Sequence, residues 1–282
     1  MKVLPFQIPK PENHALFYQE DKALIFYDKF HQHDEIQVSY IAEGEGTLVV
    51  GDTINYYKKG DLLSIGSNLP HVFKSDRFAY KNSEMITLFF SRDAFGESFF
   101  NLEDFRELKP FFKKVSYGFK YSSKSDELKH LFIKLHSKSK LQRFLILLEI
   151  LKILSKLKTQ PLSSYIQDKK YTDSEGKRMR DVLDYTMRHY HNQISLRDIA
   201  AISAMTKNAF CKYFKKHTNK TYFQFLNELR IEKASKYLLM EEVFTIADVS
   251  EKAGFNNISN FNRQFKNIKK MTPSSYRKKK NL

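Results

Sequence analysis

Cysteine is almost missing from this chain: Cys211 stands alone among 282 residues. No intramolecular disulfide can form, and a reducing, cytoplasmic location is expected. Long apolar runs are missing too. The most apolar stretch, Phe144 to Leu154, is interrupted by Glu149 and Lys152. It falls short of the ~20 residues that cross a bilayer. The opening residues, Met1 to Lys10, hold no apolar run of signal-peptide length, so no membrane partner is expected. Acidic residues are scarce in one region only. From Lys177 to Leu282 there are 22 Lys and Arg against 9 Asp and Glu, a net charge of +13, while residues 1–176 carry only +3 of the total +16. A basic excess confined to one third of a chain is the footprint of a local anionic partner such as nucleic acid.

That same third repeats itself. Ser195-Leu196-Arg197-Asp198-Ile199-Ala200 returns fifty residues later as Thr245-Ile246-Ala247-Asp248-Val249-Ser250. Thr206, Phe210, Lys212, Phe214 and Lys215 return fifty-one residues later as Asn257, Phe261, Arg263, Phe265 and Lys266. Ser195 and Thr245 are helix N-caps with an Asp three residues on, and Thr206 and Asn257 cap a second helix in each copy. Phe210 and Phe214 with Tyr213, and Ile258, Phe261 and Phe265, are expected to face inward. Asn208, Cys211, Lys212 and Lys215, and then Ser259, Asn262, Arg263 and Lys266, are expected to face outward, at spacings of three and four. Each copy is thus a helix-turn-helix, with a helix suited to a DNA major groove. Between them, Tyr222 to Met240 is expected as a helix ~28 Å long, close to the ~34 Å between successive groove faces.

Residues 1 to about 90 read differently. Ala23–Tyr27, Ile36–Ala42, Thr47–Val50, Thr53–Tyr57, Asp61–Ile65 and Met85–Phe90 are expected strands, parted by turns such as Gly51-Asp52 and Lys59-Gly60-Asp61. Many short strands point to a small β-barrel. Asp126–His136 and Lys140–Leu157 carry helical periodicity. The second is too apolar for a lone surface helix and is expected to pack on the barrel, on a second copy of the chain, or on both. The fold class is therefore α+β, and four segments follow: 1–125 as a sensor domain, 126–158 as a helical packing or dimerisation segment, 159–176 as a linker, and 177–282 as a double helix-turn-helix domain.

Gly254-Phe255 through Phe261, Arg263, Phe265-Lys266 and Thr272-Pro273-Ser274-Ser275-Tyr276-Arg277 resemble the signature of the AraC/XylS transcriptional regulators. Leu226 to Ala234, with Arg230, resembles that family's linker helix. The resemblance covers roughly residues 177–278. It implies that Asn208, Cys211 and Lys212 face bases from the first recognition helix, and Ser259, Asn260, Asn262 and Arg263 from the second. Chemically, Arg263 suits guanine O6/N7, Asn208 or Asn262 suits adenine, and Lys215, Lys266 and the tail Lys278-Lys279-Lys280 suit phosphates. The family usually has Gly where this chain has Asn219 and Lys270. Asn tolerates a left-handed backbone and Lys does so poorly, so a different local turn is expected at Lys270.

His31-Gln32-His33-Asp34-Glu35, Gly44-Glu45-Gly46, Gly60-Asp61 and Pro70-His71 resemble the two motifs of the cupin barrel, a common sensor attached to AraC-type domains. His31, His33 and His71 fall on the metal-ligand histidines of metal-binding cupins, but Gln37 falls where the acid should be, with Glu35 nearby. The expectation is a metal-free pocket in which His31, His33, Glu35, Gln37 and His71 bind a polar small molecule such as a sugar. No cofactor and no catalysis are expected. The partners implied are double-stranded operator DNA, this effector, RNA polymerase and a second copy of the chain. A metal-dependent cupin enzyme fused to a nucleic-acid-binding domain, and a nonspecific nucleic-acid binder, remain open as alternatives.

Overall fold

The computed structural model describes residues 15–76, 82–122, 126–166, 171–240 and 244–278. The chain divides into two units, Met1–Ser174 and Glu175–Leu282.

Strands of the first unit are β1 (Leu16–Ala23), β2 (Ile36–Glu43), β3 (Glu45–Val50), β4 (Thr53–Lys58), β5 (Asp61–Ile65), β6 (His71–Ser75), β7 (Ser83–Phe90), β8 (Phe119–Ser122) and β9 (Gln160–Pro161). They form a six-stranded sheet of order β1-β7-β2-β5-β8-β9 and a three-stranded sheet of order β4-β3-β6, all antiparallel. This is the cupin-like, two-sheet arrangement that the short strands implied. Side chains alternate across a strand, so β2, β5 and β7 of the large sheet each feed two cores. Ile36, Val38 and Tyr40 of β2 join Ile86, Leu88 and Phe90 of β7 beneath a helical layer. Ile41, Leu63, Ile65 and Met85 point the other way and meet Leu48, Val50, Tyr57 and Phe73 of the small sheet. Val50 pairs with Thr53, leaving Gly51-Asp52 as a two-residue turn, and Gly51 takes the positive φ (54°) that such hairpins need.

The helical layer is α1 (Lys109–Val115), α2 (Asp126–Lys134) and α3 (Lys140–Lys156). Phe111, Phe132, Leu147, Ile150, Leu151 and Leu154 are buried against the sheet. Ser139 and Gln142 close the start of α3 as a capping box. At its end the Lys114 ammonium donates to the carbonyls of Leu154, Ser155 and Leu157 at 3.0, 2.9 and 2.7 Å. The expected in-chain packing of this helix is therefore present, yet Leu141 and Leu145 remain 69% and 56% exposed.

Several expectations move. The first strand is Leu16–Ala23, not Ala23–Tyr27, because residues 16–23 pair in full register with β7. Within the segment read as a linker, 160–161 form β9 and Leu162 is fully buried. The Asp52 carboxylate accepts from Ser163 Oγ and Ser164 N at 3.1 and 2.9 Å, so this stretch packs on the first unit. Residues 167–170 lie outside the described residues.

The second unit is helical: α4 (Asp173–His189), α5 (Leu196–Ile202), α6 (Lys207–Thr218), α7 (Tyr222–Leu239), α8 (Ile246–Lys252), α9 (Ile258–Lys269) and α10 (Pro273–Lys278). Phe210, Phe214, Tyr222 and Phe225 meet edge-on or tilted at 5.5–5.7 Å in the first half. Phe255, Phe261, Phe265 and Tyr276 do so at 5.3–5.7 Å in the second. Inside α7 the buried Arg230 donates to the carbonyls of Tyr190 and Asn192, both at 2.8 Å, and so ties the middle helix to the chain entering the first repeat. No helix among the described residues is long and apolar enough to cross a membrane.

Candidate DNA-binding face and ligand cluster

The repeat is structural down to single hydrogen bonds. Ser195 Oγ accepts from Asp198 N (3.2 Å) while Asp198 Oδ2 accepts from Ser195 N (3.1 Å). Thr245 and Asp248 make the same reciprocal pair at 3.1 and 2.8 Å. These bonds hold the Asp198 and Asp248 carboxyls below the usual range, the hydroxyl bond from Ser195 or Thr245 being the main cause. In each turn the next bonds also coincide: Ala204 N to Ala201 O and Met205 N to Ala200 O, then Gly254 N to Glu251 O and Phe255 N to Ser250 O. Thr206 and Asn257 then cap the second helices. The offset is therefore fifty up to Phe255 and fifty-one from Asn257, which locates the single inserted residue at Asn256.

On α6, Asn208, Cys211, Lys212 and Lys215 are all exposed; on α9, Ser259, Asn262, Arg263 and Lys266 are exposed and Asn260 is half-buried. Each set shares one helix face, opposite the buried Phe210 and Phe214 or Phe261 and Phe265. Arg263 Nη2 donates to Asn260 Oδ1 at 3.0 Å, one turn earlier on the same face. Two expectations fail in the second copy. Ile258 is not buried but 45% exposed, because it is the first residue of α9 and the core begins at Phe261. Lys270 does not force a different turn: it adopts φ 58°, matching Asn219 at 57°, and both helices end alike. Residues Lys279 and Lys280 of the basic tail lie outside the described residues.

In the first unit the structure gathers the histidines nominated from sequence. His31 and His71 pair through their backbones, N to O at 3.0 and 2.8 Å, bridging the approach to β2 and the start of β6. One ligand atom from each of His31, His33 and His71 lies within 4.8 Å of the others. His33 Nδ1 lies 2.9 Å from the Glu35 carbonyl and 3.9 Å from its carboxylate, so Glu35 stands behind His33 rather than among the converging nitrogens. Burial pushes His33 below the ordinary imidazole range. It pushes His71 well below, with the neighbouring His31 and His33 adding to the effect.

From His33 a buried polar chain runs inward. His33 Nε2 lies 3.3 Å from Gln37 Oε1, Gln37 Nε2 donates to Ser39 Oγ at 2.9 Å, and Ser39 Oγ meets Thr87 Oγ1 at 2.8 Å. Ser39 and Thr87 were not nominated from sequence. The signal was present in β2, where Gln37 and Ser39 alternate with Ile36, Val38 and Tyr40, but Thr87 enters only through the Ser39–Thr87 register of β2 and β7.

The cupin resemblance makes a metal position worth testing on these residues. Nδ1 of His31, His33 and His71 sits 2.7, 2.9 and 2.9 Å from the carbonyls of Lys29, Glu35 and Leu69. A carbonyl can only accept, so on His31 and His71 the proton sits on Nδ1 and Nε2 faces the cluster, whereas His33 faces an acceptor at each nitrogen, the Glu35 carbonyl and Gln37 Oε1. His71 Nε2 is buried and has no hydrogen-bond partner. The three imidazoles fit a metal ion, and the fourth position holds an amide where a carboxylate would stand.

Residues 15–151 match the model of the AraC-like ligand binding domain, and residues 199–279 match a helix-turn-helix domain. The chain is similar to YdeC, a helix-turn-helix-type transcriptional regulator of Bacillus subtilis (strain 168), at 37% identity over 36% of this chain and 34% of that protein. It is similar to YobQ of the same organism at 32% identity, over 41% of this chain and 46% of that one. The chain thus spans a third to a half of the length of these relatives. A solved Listeria innocua protein aligns at 28% identity over 36% of this chain and 94% of its own, with a TM-score of 0.33. With an AraC-like ligand binding domain ahead and a helix-turn-helix domain behind, the chain has the two parts of an AraC-type regulator.

Proposed function

We propose that the chain is a sequence-specific DNA-binding transcriptional regulator whose N-terminal unit binds a small-molecule effector. The observation that carries this is the second unit: two helix-turn-helix copies with the same first-helix capping box and turn hydrogen bonds, and with different polar side chains on their exposed faces. Asn208, Cys211 and Lys212 on α6, and Ser259, Asn260, Asn262 and Arg263 on α9, read base edges in successive major grooves. Lys215 and Lys266 hold phosphates. Because the faces differ, the bound site is asymmetric.

The effector occupies the region of His31, His33, Glu35, Gln37 and His71. The amide and hydroxyls of Gln37, Ser39 and Thr87 suit a polar molecule of the sugar class. Leu141 and Leu145 on α3 form the contact of a homodimer, and RNA polymerase is the further partner of the DNA-bound state. Catalysis has no place in this reading. Selection of binding sites from random duplex DNA, followed by gel shifts, tests it. The expected preference over competitor is ~10³ or more. Equal retention of all duplexes at every salt concentration would reject the reading.

A further inference from the structure

We propose that residues 30–33 and the junction 171–175 form a lever through which the ligand-binding unit acts on α6, the first of the two recognition helices. The proposal deepens the regulator reading by naming its means of regulation, and it rests on that reading.

Residues 30–33 engage two different sets of partners. The rings of His31 and His33 stand 4.2 and 5.2 Å from that of His71, centroid to centroid. Phe30 and Gln32 instead hold the end of the first unit. Buried Phe30 meets the Tyr171 ring edge-on at 5.8 Å, and Gln32 Oε1 accepts from Tyr171 N at 3.4 Å. Successive side chains of an extended stretch lie on opposite sides. The histidines of the effector region therefore share one short backbone with the residues that hold Tyr171. A ligand that displaces His31 and His33 displaces Phe30 and Gln32 with them.

Little chain follows to absorb such a movement. Helix α4 begins at Asp173, two residues after Tyr171. Glu175, two residues further, is fixed to α6. Tyr213 Oη donates to the Glu175 carbonyl at 2.6 Å. Lys216 Nζ and His217 Nε2 lie 3.5 and 3.4 Å from Glu175 Oε1. Tyr213 and His217 are buried, with their rings 4.7 Å apart. Each hold lies within its own unit, and only Thr172, Asp173 and Ser174 separate the two along the chain. A flexible linker loses a displacement in its own conformational freedom, whereas a few residues running into a helix pass it on.

The repeat marks α6 as the receiver. Its caps and core aromatics are kept between the copies, but the three side chains that hold Glu175 are not. Tyr213, Lys216 and His217 correspond to Gln264, Asn267 and Ile268 on α9, which offer no phenol, no cation and no imidazole. A shift passed to α6 bears on the half of the DNA site assigned to Asn208, Cys211 and Lys212, leaving the half assigned to α9.

Coupling between two sites is reciprocal, so DNA serves as the probe. The full chain is mixed with a duplex taken from the site selection, and amide hydrogen exchange is followed by mass spectrometry. Bound duplex is expected to change exchange in residues 29–34 by ~5-fold or more. Tyr213→Phe with Glu175→Gln removes the hydroxyl and the charge at one end of the lever, and Tyr171→Ala removes the ring at the other. Both variants, checked for folding by circular dichroism, are expected to bind the duplex and to lose the change at 29–34. Lys177→Ala, which breaks only an exposed ion pair with Asp181 on α4, is expected to keep it. Specific binding with no change at 29–34 in the wild type overturns the lever alone. So does an undiminished change in either variant, or loss of duplex binding in both, which would make the holds merely structural. Absence of preference for any duplex overturns the regulator reading, and the lever with it.

Discussion

Ala204 and Gly254 occupy the same point of the repeated turn, at φ 52° and 88°, and make the same hydrogen bond. Their surroundings differ. A Cβ on Gly254 would meet the Tyr190 carbonyl at 2.5 Å and His191 Cα at 2.9 Å, whereas Ala204 is exposed. Left-handed backbone costs an L-residue ~1–2 kcal/mol, and glycine gives back part of that in unfolded-state entropy. Ala204→Gly is therefore expected to stabilise the second unit by ~0.5–1 kcal/mol, a melting-temperature rise of a few degrees. Gly254→Ala is expected to cost about 2 kcal/mol or more, since it adds a clash to the strain. Equal effects of the two changes in thermal melts would contradict this account. None of it was legible in the sequence, where Ala204 looks like an ordinary helix-friendly residue. Its conformation follows from the turn it shares with Gly254. Arg263 was legible as an exposed cation, but its bond to Asn260 was not. That bond holds the guanidinium along the exposed side of α9. Arg263→Ala is expected to weaken specific binding by ~1–3 kcal/mol and relax preference at one base position. Asn260→Ala is expected to weaken the same position less, as read by competition gel shifts.

Elements were read from sequence as well as their local signals allowed. Asp61–Ile65 was placed to the residue because Gly60 marks its start and a run of apolar side chains defines it. The short β6, His71–Ser75, and the two-residue β9 escaped, since their pairing partners β3 and β8 are distant in sequence and carry most of the information. The helix-turn-helix units were the clearest, because caps and aromatic spacing are local. For α3 the sequence offered too many apolar residues for one surface, and the structure divides them. Leu147, Ile150, Leu151 and Leu154 are buried on the sheet, while Leu141 and Leu145, one turn apart, are left to solvent. Two exposed leucines on one stripe point to self-association. Leu141→Lys with Leu145→Lys is expected to convert a dimer to a monomer in sedimentation, without lowering the melting temperature, because neither side chain is part of the core. An unchanged sedimentation coefficient would remove this face from the dimer contact.

At the scale of the whole molecule, charge and burial divide the work between the two units. The first has two apolar cores and a buried polar cluster between its sheets; the second carries +13 over residues 177–282. That partition separates affinity from specificity. Each neutralised phosphate contributes about −0.9 to the slope of log K against log salt, whatever the base sequence. Lys215 and Lys266 occupy equivalent points of the two recognition helices, exposed and one turn beyond Lys212 and Arg263. Lys215→Ala and Lys266→Ala are each expected to lower the steepness of the salt slope by about 1 and to weaken specific and nonspecific duplexes alike. Arg263→Ala is expected to act chiefly on the ratio between them. Filter binding across a salt series, on a selected site and on a scrambled duplex, separates the two behaviours. A lysine variant that changes the ratio but not the slope would move that lysine from the phosphate backbone to a base edge.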